Sequence, residues 1–420
     1  MTGRFFNTAG PVRCEIHYCF PPLERFDLPE ILTLIDQQKY FVLHAPRQTG
    51  KTSALLALME YLNQQGKYRC VYLNVEIAQA AREDVARAMP AILNELASWA
   101  RFALNDHFVE QIWPDILANS GEYAALGEVL TQWAMVSPEP LILLMDEIDA
   151  LIGDTLISVL RQLRAGYARR SKAFPQSVVL CGVRDVRDYR IHSSQEKTII
   201  TGGSAFNIKA KSLRLGNFTQ AEVRQLYGQH TAETGQLFAE AAIELAWKLT
   251  QGQPWLVNAL VYETCFEMEA GRDRSQTVTM EMVIEAKERL IMRRETHLDQ
   301  LVDKLKEERV RRVIEPILAG TSSPDLIPTD DINYIQDLGL IRTDEGQLAI
   351  ANSIYQEIIP RELTYSTQLT ITQQPAWYIG PDGRLEMAKL LAGLQQFFRE
   401  HSESWVQRFD YAEAGPQLLM

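Results

Sequence analysis

Eight consecutive residues, Ala45, Pro46, Arg47, Gln48, Thr49, Gly50, Lys51 and Thr52, have the types and spacing of a phosphate-binding loop. An apolar run from Tyr40 to Leu43 precedes them, and Ser53 to Leu62 follows with the composition and periodicity of a helix. In that setting the backbone N–H groups at the helix N-terminus form an anion nest for the β- and γ-phosphates of a nucleotide. Lys51 adds a point charge on the same phosphates, Thr52 offers a hydroxyl to Mg²⁺, and Gly50 lets the main chain come close; Ser53 completes the nucleotide-binding candidates. Ala45 stands where the usual pattern opens with glycine. The loop is expected to begin in an ordinary backbone region, where a Cβ is tolerated.

A second group of residues supplies the rest of the chemistry. Leu141 to Met145 is an apolar run after the breaker Ser137-Pro-Glu-Pro140, and it ends in Asp146 and Glu147. Such a run reads as a central parallel strand buried on both faces, with its carboxylates at the C-terminal edge where ligands of open α/β sheets bind. Asp146 is expected to hold the Mg²⁺, directly or through water, and Glu147 to orient or deprotonate the attacking water. Arg184 lies just past a third apolar run, Ser177 to Val183, where a guanidinium can report on the γ-phosphate; a surface arginine beside Asp185 and Asp188 is the other reading. Gly252 and Pro254 break the chain sharply after a helical stretch from Ala239 to Leu249.

The elements that must position these residues follow. Strands are expected at Tyr40–Leu43, Cys70–Val75, Leu141–Met145, Ser177–Gly182 and near Phe206–Leu215, with helices between them, including a long one over Glu83–Leu104. The fold class is an α/β P-loop NTPase, a parallel sheet flanked by helices, followed by an all-α lid and a winged-helix domain. Domains are expected at 1–38 (an N-terminal arm), 39–216 (the P-loop core), 217–290 (the lid), 291–364 (the winged helix) and 365–420. The lid opens with a capping box, Thr219 with Glu222, and a hydrophobic staple, Phe218 with Val223. The winged helix reads as helix, helix, a hairpin turning at Asp344 to Gly346, and a final helix; its second helix begins Asp330-Asp331, acids that repel phosphates. Tyr365 to Gln374 reads as a Thr/Gln-rich linker, and Leu385 to Phe398 as an amphipathic helix.

With the phosphate loop, the Met145-Asp-Glu-Ile-Asp149 block, Arg184 and the Gly252-Gln-Pro254 turn in hand, the chain resembles the archaeal-type ATPases of the STAND branch of AAA-related P-loop NTPases. It resembles more closely the bacterial AAA-like ATPases that carry a PD-(D/E)XK-type nuclease at the C-terminus. Phe5 to Pro11, Phe206 to Lys209, Arg294 to Asp299 and Ile350 to Tyr355 extend the resemblance along nearly the whole chain. The resemblance implies that Gly252 to Pro254 pack near the adenine and that His17 and Tyr18 flank the base. It implies ATP and Mg²⁺ as cofactors, and ATP over GTP, since no guanine-reading Asn-Lys-x-Asp motif occurs. It also implies a switch, able to form homo-oligomers, that governs a C-terminal nuclease in bacterial defence. Glu413 would match the first acidic position of such a nuclease; the further carboxylates and lysine that cleavage needs do not follow it, so no nuclease activity is expected of this chain.

Composition limits the alternatives. At 420 residues the chain exceeds one core and suggests two to four domains, and 46% hydrophobic with 23% charged residues is an ordinary globular balance. Cys14, Cys19, Cys70, Cys181 and Cys265 show no repeated metal spacing and imply no disulfide framework, and no apolar run approaches a membrane span, so a cytoplasmic protein is expected. A net charge of −12 argues against a large sequence-independent DNA footprint. The Arg161–Lys172 stretch (Arg161, Arg164, Arg169, Arg170, Lys172) is less diluted by acids and reads as a solvated helix face, a DNA contact or an arginine finger for a neighbouring subunit. A DNA-dependent remodelling ATPase and a nucleotide-binding scaffold with negligible turnover are the rival functions.

Overall fold

Alternation within the apolar runs builds the central sheet. In β1 (Tyr40–His44), Tyr40 and Val42 face one side, Phe41 and Leu43 the other. β2 (Arg69–Asn74), β3 (Leu141–Asp146) and β4 (Ser177–Gly182) divide the same way: Val71, Leu143 and Leu180 pack on the first side, Cys70, Leu144 and Cys181 on the second. A period of two with both faces apolar is what a parallel strand covered by helices on each side requires. β5 (Lys209–Arg214) completes a five-stranded sheet in the order β2-β3-β4-β1-β5, every pair parallel. This is the expected sheet. Its order places β1 and β3, which carry the two chemical motifs, on either side of β4.

The computed structural model describes residues 3–185, 189–193, 198–201, 205–293, 303–318, 327–344, 346–370, 384–393 and 395–396. Contacts divide the chain into two units, Met1–Arg293 with Gln336–Gly339, and Arg294–Ile335 with Leu340–Met420.

In the first unit α1 (Leu28–Asp36) and α2 (Lys51–Gln65) cover one face of the sheet. The other is covered by α3 (Val85–Leu104), α4 (Phe108–Ser120), α5 (Ala125–Val136) and α6 (Gly153–Gly166). α3 starts where Asp84 accepts from the Arg87 amide, an N-cap bond, and buries Ala88, Ile92, Leu96 and Ala100 along one stripe. Helices α7 (Gln220–Thr234), α8 (Glu240–Thr250), α9 (Pro254–Tyr262) and α10 (Met280–Arg293) follow the sheet. Both reciprocal bonds of the capping box are present at α7: Glu222 N donates to Thr219 Oγ1, and Thr219 N to Glu222 Oε2. Among the described residues no helix is long and apolar enough to cross a membrane.

The second unit contains α11 (Glu308–Leu318), α12 (Thr329–Asp337) up to Ile335, an antiparallel hairpin of β6 (Ile341–Asp344) and β7 (Gln347–Ile350), and α13 (Ser353–Thr370). Val310, Val313, Ile314, Ile335, Ile341, Ile354 and Ile359 are buried there.

Three readings need correction. Helix α13 runs through Thr370, six residues into the stretch expected to be a linker, because Thr and Gln extend a helix that apolar burial at Ile354, Ile358 and Ile359 has already nucleated. Cys14 and Cys19 are joined as a disulfide. The turn in which Ile16 N and His17 N both donate to the Arg13 carbonyl folds the arm back and sets their Cα atoms 5.6 Å apart, a geometry that sequence spacing does not display. An antiparallel hairpin, Arg190–Ser193 with Thr198–Thr201, stands between β4 and β5 where no strand was expected. The Arg294 to Asp299 segment and Glu413 lie outside the described residues.

Candidate nucleotide-binding site

The phosphate loop leaves the C-terminal end of β1 and closes on itself before α2 begins. Thr49 Oγ1 donates to the Pro46 carbonyl at 2.8 Å, and Lys51 Nζ donates to the Ala45 and Pro46 carbonyls at 3.0 Å each. Gln48 (φ 57°) and Gly50 (φ 94°) are the loop positions with positive φ, while Ala45 is not among them, so the residue that departs from the usual glycine carries no left-handed strain. Alternating hands of this kind turn successive N–H groups to one side, which is how a backbone nest is made. Lys51 is buried, and Arg47 stands at the loop's exposed edge.

The carboxylates arrive from β3. Asp146 is fully buried; its Oδ2 accepts from Thr52 Oγ1 at 2.8 Å and from Tyr72 OH at 2.9 Å, and its Oδ1 accepts from the Glu147 amide at 2.9 Å. Thr52 and Asp146 are therefore brought together as expected for a pair sharing a cation. Their donors are a hydroxyl and a carboxylate, the hard oxygen ligands that suit Mg²⁺ when phosphates and water supply the rest. Glu147 sits in the left-handed region (φ 55°, ψ 40°), which turns its side chain away from the direction Asp146 takes. Burial pushes its carboxyl up to about 7; Lys51 and Arg47 work against this, and Asp149 and Asp146 add to it.

Two further residues shape this corner. Asp149 Oδ1 accepts from the Val183 amide at 2.9 Å, tying the turn after Glu147 to the chain just past β4. Arg184 follows immediately, half-buried, with its guanidinium 5.3 Å from the centre of the Tyr189 ring. Asp185 is not a surface neighbour of it: it is buried and receives Lys209 Nζ at 2.8 Å.

Beside the loop lies a cleft of about 150 Å³, walled by the arm, the loop and α9. Of the sequence candidates, Tyr18, Gln48, Thr49, Gly50, Ser53 and Pro254 line it. His17 does not: its ring is turned into the arm, where Nδ1 accepts from the Arg13 amide at 3.0 Å, and it lines a neighbouring cavity. Gly252 stands behind the wall, with Phe218 N donating to its carbonyl at 2.8 Å. Phe20, Arg25, Phe218, Trp255 and Asn258 also line the cleft, and no sequence pattern joins them, since three separate chain segments contribute them. The arm is held there by Val12 N donating to Ser53 Oγ at 2.9 Å and Trp255 Nε1 donating to the Thr8 carbonyl at 2.9 Å.

Residues 30–360 match the AAA-like domain family. This chain belongs to that family. Among curated proteins none matches it. A Walker-type ATPase of Pyrococcus abyssi superimposes on the AAA-like chain with a TM-score of 0.55 at 13% identity, over 84% of this chain and 99% of that one. Cdc6p from Pyrobaculum aerophilum gives 0.41 at 15% identity over 82% and 93%. The Thermotoga maritima RuvB Holliday junction branch migration motor gives 0.38 at 13% identity over 80% and 96%. The Pyrococcus abyssi superposition and the five-stranded parallel sheet show that the AAA-like chain has the P-loop ATPase fold.

Proposed function

We propose that this protein binds and hydrolyses ATP and uses the cycle as a molecular switch. The observation that carries the reading is the convergence of Lys51, Thr52, Asp146 and Glu147 at one edge of the sheet, joined by the Thr52–Asp146 hydrogen bond of 2.8 Å. Loop N–H groups from Gln48 to Ser53 would cradle the phosphates, and Lys51 would move from the loop carbonyls onto the β- and γ-phosphates. Thr52 and Asp146 would hold Mg²⁺, whose charge offsets that developing on the phosphate oxygens. Glu147, with its carboxyl raised by burial to about 7, is suited to take a proton from the attacking water and release it afterwards. Arg184 would contact the γ-phosphate, and the base would occupy the cleft between Tyr18 and the Gly252 to Pro254 turn.

In this reading residues 217–290 act as the lid, and residues 291–364 form a winged helix that carries the signal onward. Asp331 at the start of α12 pairs with Arg309 at 3.2 Å and Arg312 at 3.6 Å, so that helix presents acids engaged with their own unit and is poorly suited to DNA phosphates. Control of a C-terminal nuclease in bacterial defence, the STAND subtype and ATP-dependent homo-oligomers rest on the sequence resemblance. The test is ATP binding and steady-state hydrolysis for the chain, Lys51→Ala and Glu147→Gln, with and without DNA. Lys51→Ala is expected to lose binding, and Glu147→Gln to keep binding while turnover stops. Parent-like activity in either variant refutes the assignment, and strong DNA stimulation replaces the switch by a DNA-dependent ATPase.

A further inference from the structure

Arg25 belongs to the arm, between the short strand His17–Tyr18 and α1, yet its guanidinium reaches the phosphate loop. One terminal nitrogen donates to the Thr49 carbonyl at 2.8 Å and the other to the Gly216 carbonyl, beyond β5, at 2.6 Å. The group stacks over the Phe218 ring, 4.5 Å from its centre, and the residue is half-buried. Burial lowers it to about 10, so it remains cationic near neutral pH. A half-buried cation whose hydrogen bonds go to backbone carbonyls of two distant segments needs a reason.

The geometry of a peptide group gives one. The Thr49 carbonyl and the Gly50 N–H belong to the same trans peptide and point in opposite directions. Holding the oxygen toward Arg25 turns the Gly50 N–H away from it. Gly50, at φ 94°, holds a backbone conformation that favours glycine, and a Cβ there would lie 3.2 Å from the Arg25 guanidinium, so Arg25 closes against this peptide from outside the loop. We infer that Arg25 is a positioning residue that locks the Thr49–Gly50 peptide with its N–H turned to the nucleotide's phosphates, and that its charge adds to the field there. The inference rests on the nucleotide-binding reading of the loop. Lysine can donate to the Thr49 carbonyl and keep the charge but cannot bridge to Gly216 in the same planar fork; methionine keeps the stem and does neither.

The test measures ADP and ATP dissociation constants and steady-state hydrolysis for the full chain, Arg25→Met, Arg25→Lys and Lys51→Ala. Arg25→Met is expected to weaken ADP and ATP binding by about tenfold to a hundredfold, the range for one charge-assisted hydrogen bond, with the loss falling on KM more than on kcat. Arg25→Lys, which keeps the charge and loses the fork, is expected to recover part of it, to a Kd about three- to fivefold above the parent's, a rescue that packing alone does not produce; should Arg25→Met not fold, a Kd for Arg25→Lys at least threefold above the parent's carries the inference, and a smaller change overturns it. Parent-like Kd values in Arg25→Met, or equal losses in both Arg25 variants, overturn the role of Arg25 while loss of binding in Lys51→Ala leaves the loop reading standing. Parent-like binding in Lys51→Ala overturns that reading itself.

Discussion

Gly252→Ala tests the packing behind the cleft, and its effect can be worked from the structure. Gly252 has φ 69°, a region that costs an L-residue about 1–2 kcal/mol. A methyl group there would overlap the Phe218 carbonyl oxygen and come within 2.7 Å of the Trp247 ring edge. The backbone must move to relieve the overlap, and the bond from Phe218 N to the Gly252 carbonyl, 2.8 Å, is the first to yield, worth about 0.5–1.5 kcal/mol. A loss of about 1.5–3.5 kcal/mol follows. Gly235 provides the control: it has φ 78° with nothing within 4 Å of the added methyl, so Gly235→Ala pays the backbone strain alone. Thermal unfolding of both variants, at about 2–4 °C per kcal/mol for a domain of this scale, separates them. Gly252→Ala should also weaken ATP binding, since the displaced turn carries Pro254 and Trp255 in the cleft wall, and Gly235→Ala should not. Equal midpoints and equal affinities for the two variants would refute the close-approach argument.

Two further predictions concern buried charge. Asp185→Asn leaves Lys209, 9% exposed, facing a neutral partner and is expected to destabilise by about 3–5 kcal/mol in chemical denaturation; a loss under about 1 kcal/mol would mean that water reaches the pair. Asp106 tests the sign of a pH dependence. Burial pushes its carboxyl up, but the Phe108 amide, the Trp133 indole N–H and Arg69 outweigh this, so it lies below the usual carboxylate value. Its contribution is therefore complete above about pH 4, the unfolded value, and is lost as pH falls through the lower folded value. Asp106→Asn should cost about 1–3 kcal/mol at neutral pH, with the difference from the parent shrinking in acid; a difference that grows on acidification contradicts the direction.

How much was legible beforehand follows from how locally each feature is encoded. The loop from Ala45 to Thr52 works through its own main chain and adjacent side chains, so contiguous residues suffice to recognise it. Asp146 and Glu147 could be placed at the end of a buried strand because a run of five apolar residues ending in acids has few solvated uses. The capping box at Thr219 was equally readable, being complete within four residues. The disulfide depends on a turn of the backbone around Arg13, and the onward course of α13 on burial at its start, neither of which a residue pattern states.

The sequence by itself therefore determined the chemistry on offer: a phosphate nest, a lysine, a hydroxyl and two carboxylates, each tied to a strand end by periodicity. Tertiary structure alone decided what surrounds that chemistry. The strand order β2-β3-β4-β1-β5 brings Asp146 to Thr52, the arm rather than the sheet supplies Tyr18, Phe20 and Arg25 to the cleft, and His17 is turned away from it. The reason is physical. Bonds within a turn of helix or a loop are fixed by neighbours in sequence, whereas Arg25 meets Gly216 across 191 positions, and only the packing of the whole unit can set such a distance.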